Sequence, residues 1–218
     1  MFARGRKLKN VLYLHGFASS PRGRKAEALR KILEPSGIRV VAPDLNIPSF
    51  ERLDFRAMSR VALWDMKRHL PAVVVGSSLG ALVALEAGRT ALAAPLVLIA
   101  PALGFRRRWL EKLPPGDPLP FFHHGEEKDL LIHRRFFEVM AGTDADRDPP
   151  GMAVTILMGR RDESVPFDLV RGVWERWEES GRLAEGSRFV EIPDGDHGLT
   201  ESVDQIAEEI LRAAALPR

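Results

Sequence analysis

Cysteine is absent from the 218 residues. That excludes a disulfide framework, a thiol nucleophile and any cysteine metal site. Side-chain amides are nearly absent too: Asn10, Asn46 and Gln205 are the whole set. Such scarcity, beside 16 prolines and many arginines, is a composition associated with heat adaptation and carries no functional information. No apolar run approaches the length of a membrane span. The basic stretch Met1 to Lys9 is followed only by Val11-Leu12-Tyr13-Leu14 before His15-Gly16. That is too short for a signal-peptide core, and no small-residue cleavage site follows. A cytoplasmic location is the expectation. Charge of one sign is also missing, with 32 basic against 30 acidic residues. There is no basic arm, no basic stripe interleaved with aromatics and no zinc spacing. Nucleic acid is therefore not an expected partner, and neither a metal nor another cofactor is expected.

What is present is one stretch around which the rest is organised. Ala72-Val73-Val74-Val75 is a short β-branched run. Gly76-Ser77-Ser78-Leu79-Gly80 follows at once, and then the apolar helical pattern Ala81 to Ala87. Strand, tight turn and helix are the context in which Gly-x-Ser-x-Gly means a nucleophile elbow. Ser78 is then the nucleophile and Ser77 the variable position. Gly76 and Gly80 flank it because side chains there would collide with the crossing strand and helix. By average composition the motif alone arises by chance roughly once in ten chains of this length. An ordinary strand-to-helix turn carrying serines is the plain alternative. The flanking patterns favour the elbow.

Apolar periodicity supplies the frame. Strands are expected at Asn10–Leu14, Ile38–Ala42, Ala72–Val75, Leu96–Ile99, Met152–Met158 and Arg188–Ile192. Helices are expected at Gly23–Leu33, Leu53–Leu70, after the elbow, at Phe167–Ser180 and at Glu201–Ala214. Pro101 to Gly151 is loop-rich, with Pro114-Pro115, Pro118, Pro120 and Pro149-Pro150, and holds two short helices in this reading. Alternating strands and helices imply an α/β fold with a mostly parallel sheet of about six strands and helices on both faces. In such sheets function sits at the carboxyl ends of the strands. The whole chain, 1–218, reads as one domain, with 103–151 as a small cap insertion. That segment carries Phe105, Trp109, Phe121, Phe122, Phe136 and Phe137. Phe17, Phe121 and Phe136 are the expected substrate-binding residues. Packing of the segment against the body alone is the alternative.

Three further loops follow strand ends. His15-Gly16-Phe17 follows the first strand, Asp162-Glu163-Ser164-Val165-Pro166 the fifth and Gly195-Asp196-His197-Gly198 the sixth. Ser78, Asp162 and His197 occur in the order an α/β-hydrolase triad requires. A serine hydroxyl is a poor nucleophile until a base takes its proton. His197 can take it and later deliver it to the leaving group. Asp162 would hold the imidazole tautomer and stabilise the imidazolium. The backbone N–H groups of Phe17 and Leu79 would form the oxyanion hole. Other assignments compete with these. His197 could be a surface-turn histidine, and Asp162 could cap the following helix. His123, His124 and His133 are competing bases, but they lie in the insertion. Asp194 and Asp196 share the loop of His197 and suit turns around Gly195 better than the triad. Glu163 is expected to face outward. His15 reads as structural, and Arg106-Arg107-Arg108 as a solvated face.

These motifs together resemble the α/β-hydrolase superfamily across nearly the whole chain. More narrowly, Tyr13-Leu14-His15-Gly16-Phe17-Ala18-Ser19-Ser20-Pro21 with Lys25-Ala26, the elbow and Pro101-Ala102 resemble the small bacterial YqiA-like esterases. The resemblance implies hydrolysis of short acyl esters, with activity on thioesters beside it; the expectation here is a cofactor-free serine esterase acting on small-molecule esters of short to medium acyl chains. The sequence departs from that pattern at Ala81, where a second glycine is usual, and in the longer basic segment after Pro101. A serine peptidase, a perhydrolase or haloperoxidase on the same triad, and a non-catalytic binding protein on the same scaffold are the alternatives.

Overall fold

The computed structural model of the chain describes residues 9–90, 94–104 and 106–215. Six strands form one sheet: β1 (Lys9–Leu14), β2 (Ile38–Val41), β3 (Val73–Ser77), β4 (Leu96–Ile99), β7 (Val154–Gly159) and β8 (Arg188–Ile192). Their order is β2-β1-β3-β4-β7-β8, and every pairing is parallel. Residues of β3, β4 and β7 are buried throughout, as strands covered on both faces must be. The covering helices are α1 (Arg24–Leu33), α2 (Phe55–His69), α3 (Leu79–Gly88), α6 (Phe167–Glu179) and α7 (Val203–Ala213).

Local chemistry sets the helix ends. Gly37 closes the turn after α1 at φ +77°, in the left-handed region that glycine tolerates. The Asp54 carboxylate accepts from the Ala57 N–H at 3.0 Å, so α2 begins at Phe55 rather than Leu53. Pro71 follows Leu70, which ends α2 in the left-handed region. α3 is apolar on every side, and its residues are buried apart from Glu86. A helix of that kind can only sit inside the protein, here directly behind the elbow.

The chain runs from β1 outward to β2 and then back past β1 to β3. The sheet therefore reverses direction between β1 and β3. Loops leaving the carboxyl ends of those two strands part there and open a crevice.

Between β4 and β7 lie α4 (Arg106–Glu111), the antiparallel pair β5 (Leu119–His123) and β6 (Lys128–Ile132), and α5 (Arg135–Ala141). The two short helices agree with the sequence expectation, but the hairpin is an addition to it. Pro118 and Pro120 argue against a strand in the sequence, because proline cannot donate to a ladder. Here Pro120 is exposed on a two-stranded edge, where no donor is needed. Leu119 and Ile132 form the buried cross-strand pair. The His124 N–H donates to the Ala18 carbonyl at 2.8 Å, and the His133 N–H to the Glu51 carbonyl at 3.0 Å. These bonds tie the hairpin to loops of the main body.

Phe17 is the hub of the same junction. Its ring meets Phe50, Trp109 and Phe121 at centroid separations of 5.4, 4.9 and 5.2 Å, and Phe137 at 5.8 Å. Aromatic pairs in these arrangements contribute about 0.5–1.5 kcal/mol each beyond area burial. Phe105, the side chains of Arg106 and Arg107, and Met1 to Leu8 of the basic N-terminus lie outside the described residues. Among the described residues, no helix is long and apolar enough to cross a membrane.

Among the described glycines the closest approach is at Gly80. A Cβ there would lie 2.1 Å from the Leu14 carbonyl oxygen and 2.6 Å from that of His15. Both obstacles are backbone and cannot rotate away. Gly80→Ala is expected to cost about 3 kcal/mol or more. For a domain of this size that is a fall in Tm of roughly 6–12 °C. Gly151→Ala, with nothing within 4 Å of its Cβ, should stay within about 0.5 kcal/mol of the parent. Thermal melts of the two variants check the difference.

Candidate active site

The site begins with backbone geometry at the end of β3. Ser78 has φ 52° and ψ −114°, a conformation that costs a non-glycine residue about 1–3 kcal/mol. Packing holds it there. A Cβ on Gly76 would meet Ala81 Cα and the Gly80 carbonyl oxygen, each at 2.6 Å, so strand and helix touch through the two glycines. Ala81 is itself fully buried, so alanine is accommodated where the resembling family usually has glycine. The result lifts the Ser78 hydroxyl out of the sheet, while Ser77 points into the protein.

The loops after β7 and β8 bring in the other two groups. His197 Nε2 is 3.1 Å from Ser78 Oγ, and Nδ1 is 2.7 Å from Asp162 Oδ2. The Asp162 side chain is fully buried, and that of His197 is 31% exposed. Asp162 Oδ1 accepts from the N–H groups of Ser164 at 2.9 Å and Val165 at 2.7 Å. One oxygen thus fixes the loop and the other faces the imidazole. Asp162 does not cap α6, whose N-cap is Pro166 with no side-chain hydrogen bond; it closes its own loop and meets the histidine. The contact with a carboxylate makes Nδ1 the protonated nitrogen, which leaves Nε2 to accept from the Ser78 hydroxyl. The strand ends meet closely enough for this because Gly159 faces Gly195. A Cβ on Gly159 would sit 2.2 Å from the Gly195 carbonyl oxygen.

The neighbouring carboxylates have other work. Asp196 Oδ1 accepts from the Leu199 N–H at 2.8 Å, closing the turn that carries His197. Asp194 is exposed and pairs with Arg161 at 2.5 Å. Glu163 is exposed.

His15 is buried and lies outside the Ser78–His197–Asp162 chain. Its Nδ1–H donates to the Gly16 carbonyl at 2.9 Å, and Nε2 accepts from the Leu45 N–H at 2.9 Å. Two backbone partners of opposite kind make the ring neutral, and Asp44, 3.4 Å away, is then a neighbour rather than an ion-pair partner. The ring locks the loop carrying Gly16 and Phe17 to the segment after β2. A Cβ on Gly16 would lie 3.3 Å from the Ser78 Cβ, so this loop passes directly over the serine. Leu79 opens α3, where the first N–H groups have no partner within the helix.

Two cavities meet at Ser78 and His197. One, of about 560 Å³, is lined by Phe17, Trp109, Leu113, Phe121 and Val165 among others. The other, of about 350 Å³, is lined by Tyr13, Arg24, Lys25 and Asp196 among others. Phe17 and Phe121 border the cavities at Ser78. Phe136 does not, and its expected place is corrected. It is buried on the inner face of α5, where its ring is 5.2 Å from that of Phe137, and it borders a separate cavity with Glu51 and His133. The aromatic richness of the segment gave no direction for that ring.

The three insertion histidines separate. His123 is buried, its Nδ1 accepts from the Glu126 N–H at 3.1 Å, and burial lowers its pKa. His133 lies beside Asp117 at 3.2 Å. His124 alone borders both cavities at Ser78.

The sequence also concealed a polar cluster beneath the elbow. Lys25 Nζ donates to Ser77 Oγ at 3.0 Å, and the Tyr13 side chain hydrogen-bonds to the same hydroxyl. Burial lowers the Lys25 pKa to about 8, against the opposing pull of the Asp196 and Asp162 carboxylates. Burial raises that of Tyr13.

A search of the curated proteins by sequence finds no match. Among solved structures, Est1E of Butyrivibrio proteoclasticus with ferulic acid bound is 18% identical with a TM-score of 0.73, over 95% of this chain and 90% of that one. Mouse alpha/beta hydrolase domain-containing protein 10 is 20% identical with a TM-score of 0.70, over 96% and 90%. The monoacylglycerol lipase of Paleococcus ferrophilus is 16% identical with a TM-score of 0.70, over 94% of both chains. At such identities the likeness is one of fold, and the fold is that of the α/β-hydrolase superfamily. A family model described as "Uncharacterised protein family (UPF0227)" matches residues 10–170, and the chain belongs to that family.

Proposed function

We propose that this protein is a serine hydrolase that cleaves carboxylic esters of short to medium acyl chains through an acyl-enzyme. The single observation that carries the reading is the continuous chain Ser78 Oγ–His197 Nε2, 3.1 Å, and His197 Nδ1–Asp162 Oδ2, 2.7 Å. In this reading the Ser78 oxygen attacks the ester carbonyl carbon while its proton passes to His197 Nε2. The carbonyl oxygen becomes an oxyanion held by the N–H groups of Phe17 and Leu79. Asp162 stabilises the imidazolium and keeps it oriented. Collapse of the intermediate breaks the bond to the alcohol oxygen, which takes the proton from His197. Water then attacks the acyl-serine, gives a proton to His197 and releases the acid, and the proton returns to Ser78. Water is the co-reactant.

The insertion serves in this reading as a cap. Trp109, Phe121 and Leu113 supply the wall of the larger cavity beside Ser78. An apolar wall with a few polar groups at one end suits an acyl chain.

Hydrolysis of p-nitrophenyl esters from acetate to palmitate, run beside aminoacyl and thioester substrates, tests the proposal. Esters from acetate to about octanoate should be preferred. Faster turnover of thioesters or aminoacyl amides would replace the esterase reading with those activities. Ser78→Ala should lower kcat by about 10⁴–10⁶-fold. Asp162→Asn should fold yet lose on the order of 10⁴ in kcat, because the wrong histidine tautomer is held. Asp196→Asn should lose about tenfold or less, since its carboxylate shapes the turn and does not touch the imidazole. A silent Asp196 variant beside an active Asp162 variant would overturn the assignment of the acid.

A further inference from the structure

The proposed reaction makes no use of Lys25, although its ammonium is one residue from the serine that attacks. Long cationic side chains ordinarily keep their heads in water. This one is only partly exposed and turned inward, where Ser77 Oγ accepts from Nζ at 3.0 Å. Its position on the wall of a cavity that also holds Ser78 and His197 is the second observation. Arg24, on the preceding turn position, borders the same cavity. The carboxylate on that wall is Asp196, and one of its oxygens is already committed to the Leu199 N–H.

The two cavities differ in kind. The larger is walled by Trp109, Leu113, Phe121 and Val165, with the exposed Lys112 also lining it. The smaller carries two cations against one carboxylate. Ser78 and His197 border both, so the scissile bond lies where they join. A substrate spanning the junction would put an apolar half on one side and a charged half on the other.

Resting on the serine-hydrolase reading, we infer that the substrate is an ester bearing an anionic group, a carboxylate or phosphate, received by Lys25 and Arg24 in the smaller cavity, with its apolar half in the larger. Burial weakens the protonated form of Lys25, and its pKa stands near 8. An anion seated beside Nζ restores what burial removes, so such a ligand and the charged lysine stabilise each other. At about 350 Å³ the smaller cavity has room for a compact charged group. A purely structural Lys25, tethering α1 to the elbow through Ser77, would affect stability but would not make the site discriminate by substrate charge.

The test compares three esters of similar size: phenyl butyrate, 3-carboxyphenyl butyrate with the charge on the alcohol half, and phenyl hydrogen glutarate with the charge on the acyl half. Binding to Ser78→Ala is measured calorimetrically at pH 7, and hydrolysis is measured with the intact enzyme. One of the two anionic esters should bind at least about tenfold more tightly than phenyl butyrate, and which one identifies the half that enters the smaller cavity. Adding Lys25→Met should bring that ratio to within about twofold of unity, and adding Arg24→Ala should lower it about threefold. In the intact enzyme the preference should appear in KM. Equal binding of all three esters overturns the inference, as does a preference that survives Lys25→Met. If Lys25→Met fails to fold, Arg24→Ala decides, and an unchanged ratio overturns the inference. Preferential binding of an anionic ester without hydrolysis of any of the three would leave the subsite standing and remove the hydrolase reading.

Discussion

The start of α3 presses against the end of β1, and the site depends on that contact. Gly80 lies so close to the Leu14 and His15 carbonyls that no side chain fits between them. β3 is as close to α3 at Gly76, where a Cβ would meet Ala81 and the Gly80 carbonyl, so the chain between β3 and α3 has to turn within a single residue. Ser78 absorbs the turn at φ 52°, and its hydroxyl is the part left facing the crevice. The same contact sets Gly16 against Ser78, so the loop after β1 covers the serine as a consequence of the packing that raises it. Strain of about 1–3 kcal/mol is small beside the burial of α3 and the three central strands, which keeps the geometry in place.

The loop over the serine is held from two sides. His15 fastens it by donating to the Gly16 carbonyl within the loop and accepting from the Leu45 N–H after β2. Phe17 fastens it to the insertion through its ring contacts with Trp109, Phe121 and Phe137. The segment between β4 and β7 thus does more than border a cavity. It helps to set the backbone of the residue proposed to donate to the oxyanion, so changes in the insertion can reach the chemistry through Phe17 without touching substrate.

Much of this was legible in the sequence, for identifiable reasons. Val73-Val74-Val75 followed directly by glycine and serine admits few other folds, and the loops with Asp162 and His197 announce themselves by lying after apolar runs. Other features were hidden by competing signals. Pro118 and Pro120 masked the hairpin, since an exposed edge strand tolerates proline that a central strand would not. Phe136 and Phe121 look equivalent in a list of aromatics, and only the packing of α5 turns one inward and leaves the other at the cavity. Lys25 sits beside Ala26 on the flank of an amphipathic helix, where local pattern reads as a solvated edge. Its reach to Ser77 spans 52 positions of sequence and exists only because the fold brings the first turn of α1 within side-chain reach of the end of β3.

A fluorophosphonate probe addresses the central claim without requiring any knowledge of the substrate. Such a reagent bonds to a serine oxygen only where a base removes its proton and donors await the developing charge. Ser77 and Ser78 are adjacent, yet one hydroxyl faces Lys25 and Tyr13 inside the protein while the other faces His197. Intact mass followed by peptide mapping should find one adduct per chain, on Ser78, with Ser77 unmodified. An adduct on Ser77, or a chain that stays unlabelled while folded, would contradict the account.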